Sequence, residues 1–257
     1  MVEKCSNDII IQPKPTLGKT VHYSFDDVYE ILRELTEHSA DYASIFDCRR
    51  LAALRKLHKK YDAKFSMFCF EEAAGYHISN VTTKFRAEFE KNSDWLKFGY
   101  HGKDRQTKFH EGFPLEEFRK SYENAEQAII AFAGKASLCK TIRLHFFMCT
   151  TQQKQFLKEK GIVALLASDD ARVSYDLSKE ENSQLQRECL FEKGLFYYKT
   201  DMRLELVADV WAEFRKIQDL EHVAVFTHEY ELDSQLEKLE EVIRLFWQQG
   251  YVSSFFE

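Results

Sequence analysis

The feature that most constrains this chain is an alternation along its length: short apolar runs rich in β-branched and aromatic residues are separated by longer stretches of helical periodicity. That is the pattern of βα units building a parallel sheet, because each strand must return through a helix that covers the sheet face. Seven runs read as strands, at 20–25, 64–70, 96–100, 141–147, 163–167, 195–199 and 223–227. Helices are expected at 28–37, 45–61, 114–132, 151–158, 207–217 and 234–248. In the second of these, Leu51, Leu54 and Leu57 recur at helical spacing while Arg49, Arg50, Arg55, Lys56, Lys59 and Lys60 fill a solvated face. Pro114 is expected at the first position of its helix, and Gly134, Gly161 and Gly250 follow helical runs where a left-handed cap is wanted. The polar stretch 170–193 has weak periodicity and is expected as a long excursion that shapes a site.

With 257 residues the chain can bury roughly three-quarters of its unfolded surface, so one domain spanning 1–257 is expected. Its 36 basic and 42 acidic side chains leave a net charge of −6, which argues against a nucleic-acid or anionic-lipid partner. No run approaches the length of a membrane span, and the first residues lack the charged start and apolar stretch of a secretory signal. A cytoplasmic protein without membrane insertion is the expectation. The six cysteines stand singly, with no CxxC pair, and read as reduced core residues.

In parallel α/β folds chemistry collects at the carboxyl ends of the strands, where loops from many strands converge. The first run ends in Asp26-Asp27, the third in Tyr100-His101-Gly102, and the fourth contains Arg143-Leu144-His145. The fifth ends in Ser168-Asp169-Asp170, the sixth in Asp201-Met202-Arg203, and the seventh in Thr227-His228-Glu229. A ring of strand ends this rich in carboxylate and imidazole is what a metal hydrolase needs. No GxSxG elbow and no phosphate-cradling glycine loop is present.

These residues, in this order, resemble the metal-dependent polysaccharide deacetylases of the NodB-like type. The resemblance implies an incomplete seven-stranded (β/α) barrel in the α/β class. Ser24-Phe25-Asp26-Asp27 is similar to the family's Thr-Phe-Asp-Asp motif, and 64–70 looks like its second strand. By that likeness Asp26 is the general base and Asp27 a metal ligand. The family's HxxxH pair is matched by His101 at its first position only, because Arg105 stands at the second and cannot ligate a metal. His145, on the fourth strand two residues beyond Arg143, and His110, in the loop after His101, are the two replacements, and His145 is favoured because a strand holds a side chain firmly. Arg143 matches the arginine that orients the catalytic aspartate, and His228 matches the general acid at the end of the seventh strand.

The implied activity is removal of an acetyl group from an N-acetylated sugar or glycan precursor, with a nucleotide-linked sugar, a lipid-linked sugar or a small glycan as substrate. The implied cofactor is a divalent ion, zinc first, with cobalt, manganese or nickel as alternatives. Tyr100, Asp169, Asp170, Asp201 and Arg203 are the residues expected to face substrate, and Phe146 and Trp211 are further candidates for stacking on a sugar. Other readings stay open. Asp26 or Asp27 could cap the helix that follows them, Asp201, Arg203 and Glu205 could form an ion-pair network, and Arg105 favours an inactive barrel that binds a saccharide or a protein.

Overall fold

The computed structural model describes residues 18–110 and 112–257, so the first residues of the chain, with Cys5, lie outside it. Seven strands carry the fold: β1 (Thr20–Val28), β2 (Phe65–Phe70), β3 (Leu96–Gly102), β4 (Thr141–Ile142), β5 (Ala164–Leu166), β6 (Leu195–Tyr198) and β7 (His222–His228). Among the described residues eight α-helices accompany them: α1 (Glu30–Glu37), α2 (Arg49–Tyr61), α3 (Arg86–Lys91), α4 (Leu115–Ala133), α5 (Thr151–Glu159), α6 (Lys179–Leu185), α7 (Val210–Ile217) and α8 (Leu232–Gln248). In one sheet the order is β3, β2, β1, β7, all parallel, with the short strand Met202–Arg203 beyond β7. In the other β4, β5 and β6 run parallel, and Leu190–Glu192 pairs antiparallel with β6.

The two sheets are joined twice. A parallel bridge between Phe98 and Leu138 links β3 to the segment entering β4. After β6 the chain leaves one sheet for the other: the Ala167 N–H donates to the Tyr198 carbonyl at 2.8 Å, and the Asp201 N–H to the Ala224 carbonyl at 2.9 Å. The parallel strands and covering helices are those the alternating pattern implies, and their arrangement is the incomplete seven-stranded (β/α) barrel that the resemblance implies. Strand β2 is buried at every position and β1 at all but its first, as parallel strands covered on both faces must be.

Several boundaries differ from expectation for physical reasons. The fourth strand stops at Ile142, and His145–Phe147 form a short 3-10 turn in which Phe146 and Phe147 take left-handed φ values of 59° and 57°. His145 is therefore carried by a turn and not by a strand. Pro114 is the residue before α4, with ψ 125°, and not its first helical residue. Strand β1 continues through Val28, so α1 begins two residues later than its periodicity suggests. The excursion 170–193 contains α6, opened by a capping box in which the Ser178 hydroxyl accepts from the Glu181 N–H and the Glu181 carboxylate accepts from the Ser178 N–H. Cys48, Cys69, Cys139 and Cys149 are buried free thiols, and Cys189 is an exposed one.

Candidate active site

In a regular strand Asp26 and Asp27 would point to opposite faces. Two local features bring both to the strand end. Asp27 adopts a left-handed φ of 59°, which aspartate tolerates better than most residues, and the pairing of β1 with β2 shifts register between Phe25 and Val28. Neither aspartate caps α1. That task falls to Glu229, a buried residue whose carboxylate accepts from the N–H groups of Tyr29 at 2.7 Å, Glu30 at 2.7 Å and Ile31 at 2.8 Å. Burial pushes the Glu229 carboxyl up to about 7 while these three donors pull it down. Both aspartates are thereby left for the site.

Asp26 is held by Arg143, which is wholly buried and donates from one terminal nitrogen to Asp26 Oδ1 and Ser24 Oγ, and from the other to Thr200 Oγ1, each at 2.9 Å. The guanidinium also lies 4.3 Å from the Phe226 ring centre. Asp26 pairs in register with His228 across the parallel strands β1 and β7, so a fixed carboxylate and an imidazole sit side by side.

Asp27, His101 and His145 converge. His101 Nε2 lies 3.3 Å from Asp27 Oδ1, His145 Nδ1 lies 3.8 Å from the same oxygen, and the two ring nitrogens are 3.2 Å apart. The outer nitrogens fix the tautomers. His101 Nδ1 donates to the Arg143 carbonyl at 2.7 Å, and His145 Nε2 donates to the Arg105 carbonyl at 3.3 Å. Both inward nitrogens therefore present lone pairs, and Asp27 Oδ1 is buried with no hydrogen-bond partner. Three acceptors facing one another repel unless a cation lies among them, and one carboxylate with two neutral imidazoles is a suitable donor set for a divalent ion. Burial, with the His101 ring beside it, lowers His145 to about 4, which keeps it neutral at ordinary pH. Burial opposes the Asp27 charge, yet the neighbouring imidazoles of His101, His145 and His228 hold its carboxyl below the usual carboxylate range. Gly102 makes the approach possible, since a Cβ there would lie 3.3 Å from His145 Cβ.

His228 is oriented by Glu205, whose Oε1 lies 2.5 Å from its Nδ1 and also accepts from Arg203 Nε at 3.0 Å. Burial alone would lower the imidazole, but the Glu205 bond and the charges of Asp26, Glu205 and Asp27 raise it above its ordinary value. Burial likewise opposes the Glu205 charge, but His228 brings that carboxyl down to about 2. Glu205 and Glu229 are the two site residues whose roles the strand-end reading did not anticipate. Neither has a motif, although Glu229 stands at the end of the seventh run and Glu205 in the ion-pair reading with Arg203, which lies 3.0 Å from it.

The remaining candidates are placed as follows. Tyr100 is buried in an aromatic group with Phe109, Phe118 and Tyr122, and its hydroxyl meets Ser121 Oγ at 2.7 Å, so it is a core residue and not a sugar platform. Asp201 accepts from the Ala224 N–H at 2.9 Å, with burial raising its carboxyl to about 6, which makes it a brace on β7. Asp169 and Asp170 accept from Ser168 Oγ, and the hydrogen-bonded Arg172 lowers the Asp170 carboxyl. Arg203 joins the centre through Glu205. Phe146 packs 4.1 Å from the His145 ring, and Trp211 is an exposed residue of α7. Among the described residues the cluster of possible ligands contains His145 and not His110.

No family model matches the sequence, and no curated protein does. Solved structures do. A peptidoglycan N-acetylglucosamine deacetylase aligns over 95% of this chain and 87% of its own at 13% identity, with a TM-score of 0.53. A CE4 family pseudoenzyme from Bacillus anthracis aligns over 91% of this chain and 63% of its own at 10% identity, with a TM-score of 0.51. The CE4 domain of a multidomain xylanase from the hindgut metagenome of Trinervitermes trinervoides gives 0.50 at 12% identity, over 92% and 86%. The fold is that of the CE4 polysaccharide deacetylases, in a sequence far diverged from them.

Proposed function

We propose that this chain is a metal-dependent hydrolase that removes an acetyl group from an N-acetylated sugar or glycan precursor. The observation that carries the reading is the facing of three acceptors, Asp27 Oδ1, His101 Nε2 and His145 Nδ1, with both histidine tautomers set by backbone carbonyls. These three residues would hold the ion, zinc being the first candidate for two imidazoles and a carboxylate. Held by these three residues, a divalent ion would supply Lewis-acid polarisation of the acetyl carbonyl and a more acidic water. Asp26, fixed by Arg143, takes the proton of that water. His228, held by Glu205 and raised in pKa, enters the reaction protonated and gives its proton to the departing amine nitrogen. The acceptor and the donor of the proton lie on adjacent strands, at positions paired in register.

One observation favours a second reading, a barrel that binds a saccharide or a protein without turnover: Arg105 Nε lies 4.0 Å from Asp27 Oδ2 and supplies a competing positive charge. Elemental analysis and acetate release separate the two. Protein incubated with zinc is expected to hold about one ion per chain, lost in Asp27→Ala and His101→Ala. Asp26→Asn and His228→Ala are expected to keep the ion while turnover of an N-acetylated sugar falls by roughly 10²–10⁴-fold. Wild-type protein that stays empty with zinc, cobalt, manganese and nickel overturns the hydrolase reading in favour of the binding one.

A further inference from the structure

We propose that Arg105 is the specificity residue of this centre, and that the saccharide it receives carries an oxyanion, a carboxylate or a phosphate, near its acetamido group. The proposal rests on the metal-site reading above and adds the substrate class.

Arg105 is held at its base from two directions. The Asp104 carboxylate accepts from the N–H groups of Gln106 at 2.8 Å and Thr107 at 2.7 Å and from the Thr107 hydroxyl at 2.9 Å, which pins the loop. The Arg105 carbonyl is itself the acceptor for His145 Nε2. The side chain then passes over the Tyr29 ring, with the guanidinium carbon 5.3 Å from the ring centre, and 40% of it remains exposed. A cation is thus set at the mouth of the site by a fixed loop, against an aromatic face, and still open to an incoming ligand. Lys108 adds a second charge on the same loop, 5.0 Å from the Phe146 ring that packs on His145.

The charge balance says what should approach. Asp26 is matched by Arg143, and Glu205 by His228 and Arg203. Of the other carboxylates nearby, Glu30 is matched by Arg50 at 2.8 Å, while Asp104 and Glu229 are taken up by backbone N–H groups of the Arg105 loop and of the start of α1. Asp27 alone faces both Arg105 and the ion that Asp27, His101 and His145 would hold. One negative charge against a divalent ion and a guanidinium leaves an excess of two positive charges in a partly water-excluded site. A neutral sugar leaves that excess standing, whereas a carboxylate or phosphate offers two oxygens to the planar guanidinium fork.

The test is calorimetric titration of zinc-loaded protein in a His228→Ala background, where binding is read with turnover suppressed. The ligands are N-acetylglucosamine as the neutral arm, N-acetylglucosamine 1-phosphate as the phosphate arm and N-acetylmuramic acid as the carboxylate arm. At least one anionic ligand is expected to bind tenfold or more tighter than the neutral one. Arg105→Ala should erase that preference and leave the neutral ligand unchanged, while Arg105→Lys, a charge without a fork, recovers part of it. The arm that loses affinity identifies the oxyanion. Equal affinity for neutral and anionic ligands, a preference that survives Arg105→Ala, or no binding of either anionic ligand overturns the proposal. The two readings fail separately. Arg105-dependent binding with no acetate released by the wild type would sink the deacetylase reading alone, and acetate release with one KM for both ligand types, unmoved in Arg105→Ala, would sink this one alone.

Discussion

His22 offers a direct test of the electrostatics beneath the site. It lies on β1 in the same alternating column as Ser24 and Asp26, the column along which Arg143 is buried. The ring is fully buried, packs 5.2 Å from Phe256 and 6.4 Å from Phe68, and has no hydrogen-bond partner on either nitrogen. Burial, with the Arg143 charge adding to it, lowers its pKa from 6.5 to about 3, against an opposing pull from the backbone of Ser254 and Phe255. A base depressed in the folded state contributes stability that is complete above pH 6.5 and lost as pH falls toward 3, because only the unfolded chain takes up the proton. At pH 5 that uptake favours the unfolded chain by RT ln(1 + 10^1.5), about 2 kcal/mol, against under ~0.1 kcal/mol at pH 7.5. His22→Phe removes the titration and keeps an aromatic ring among aromatic neighbours. Its packing cost is the same at both pH values, so it cancels when each protein is compared with itself. Urea unfolding at pH 7.5 and pH 5 is the assay. Wild type is expected to lose about 2 kcal/mol more than His22→Phe over that interval, on the order of 0.7 M in midpoint at a slope of ~3 kcal/mol per molar. Equal losses in the two proteins, within ~0.5 kcal/mol, would refute the neutral, buried His22 and the account of the barrel interior built on it.

Three other perturbations test the site itself. Glu205→Gln should keep the metal but let the His228 pKa fall, so that the alkaline limb of kcat/KM moves to lower pH; an unmoved limb removes Glu205 from the acid's support. Glu229→Ala strips the shared acceptor from three backbone N–H groups and should cost about 3–5 kcal/mol by thermal melting, with weaker metal binding because the end of β1 that carries Asp27 leads straight into α1. A melting temperature within about 2 °C of wild type would count against that role. His145→Ala should abolish zinc binding in calorimetry while His110→Ala retains it, and the reverse would move the third ligand to the loop.

What could be read beforehand, and what could not, divides by the range of the interaction. The places of Asp26, Asp27, His101 and His228 at strand ends were legible because strand periodicity and the ends of apolar runs are local signals, and Arg143 was placed the same way. The turn at His145 was not. A run of Thr141, Ile142, Leu144, Phe146 and Phe147 has the composition of a strand, and nothing local announces two consecutive left-handed phenylalanines. Even so His145 reaches the site, because its outer nitrogen is anchored on the Arg105 carbonyl and Gly102 leaves it room. Helix α6 was legible in principle, since Ser178 and Glu181 stand at capping-box spacing ahead of it. Tyr100 shows the opposite error, for an aromatic beside a strand-end histidine looks like a platform until the helix opposite supplies Ser121 and Tyr122.

Glu229 and Glu205 mark the boundary of sequence reading, because their roles exist only once the sheet is assembled. Glu229 caps a helix about 200 residues away, and it does so because β1 and β7 are neighbours in the sheet. That one contact settles the ambiguity of the adjacent aspartates: with the N–H groups at the start of α1 already satisfied, Asp26 is free to pair with Arg143 and Asp27 to face the histidines. The same adjacency sets Asp26 beside His228, and Glu205, just beyond the short strand Met202–Arg203 on the far side of β7, reaches the His228 ring from there. The carboxylates that position the chemistry thus sit where strand order brings them, while those proposed to perform it sit at strand ends, and only the second kind leaves a mark in one sequence.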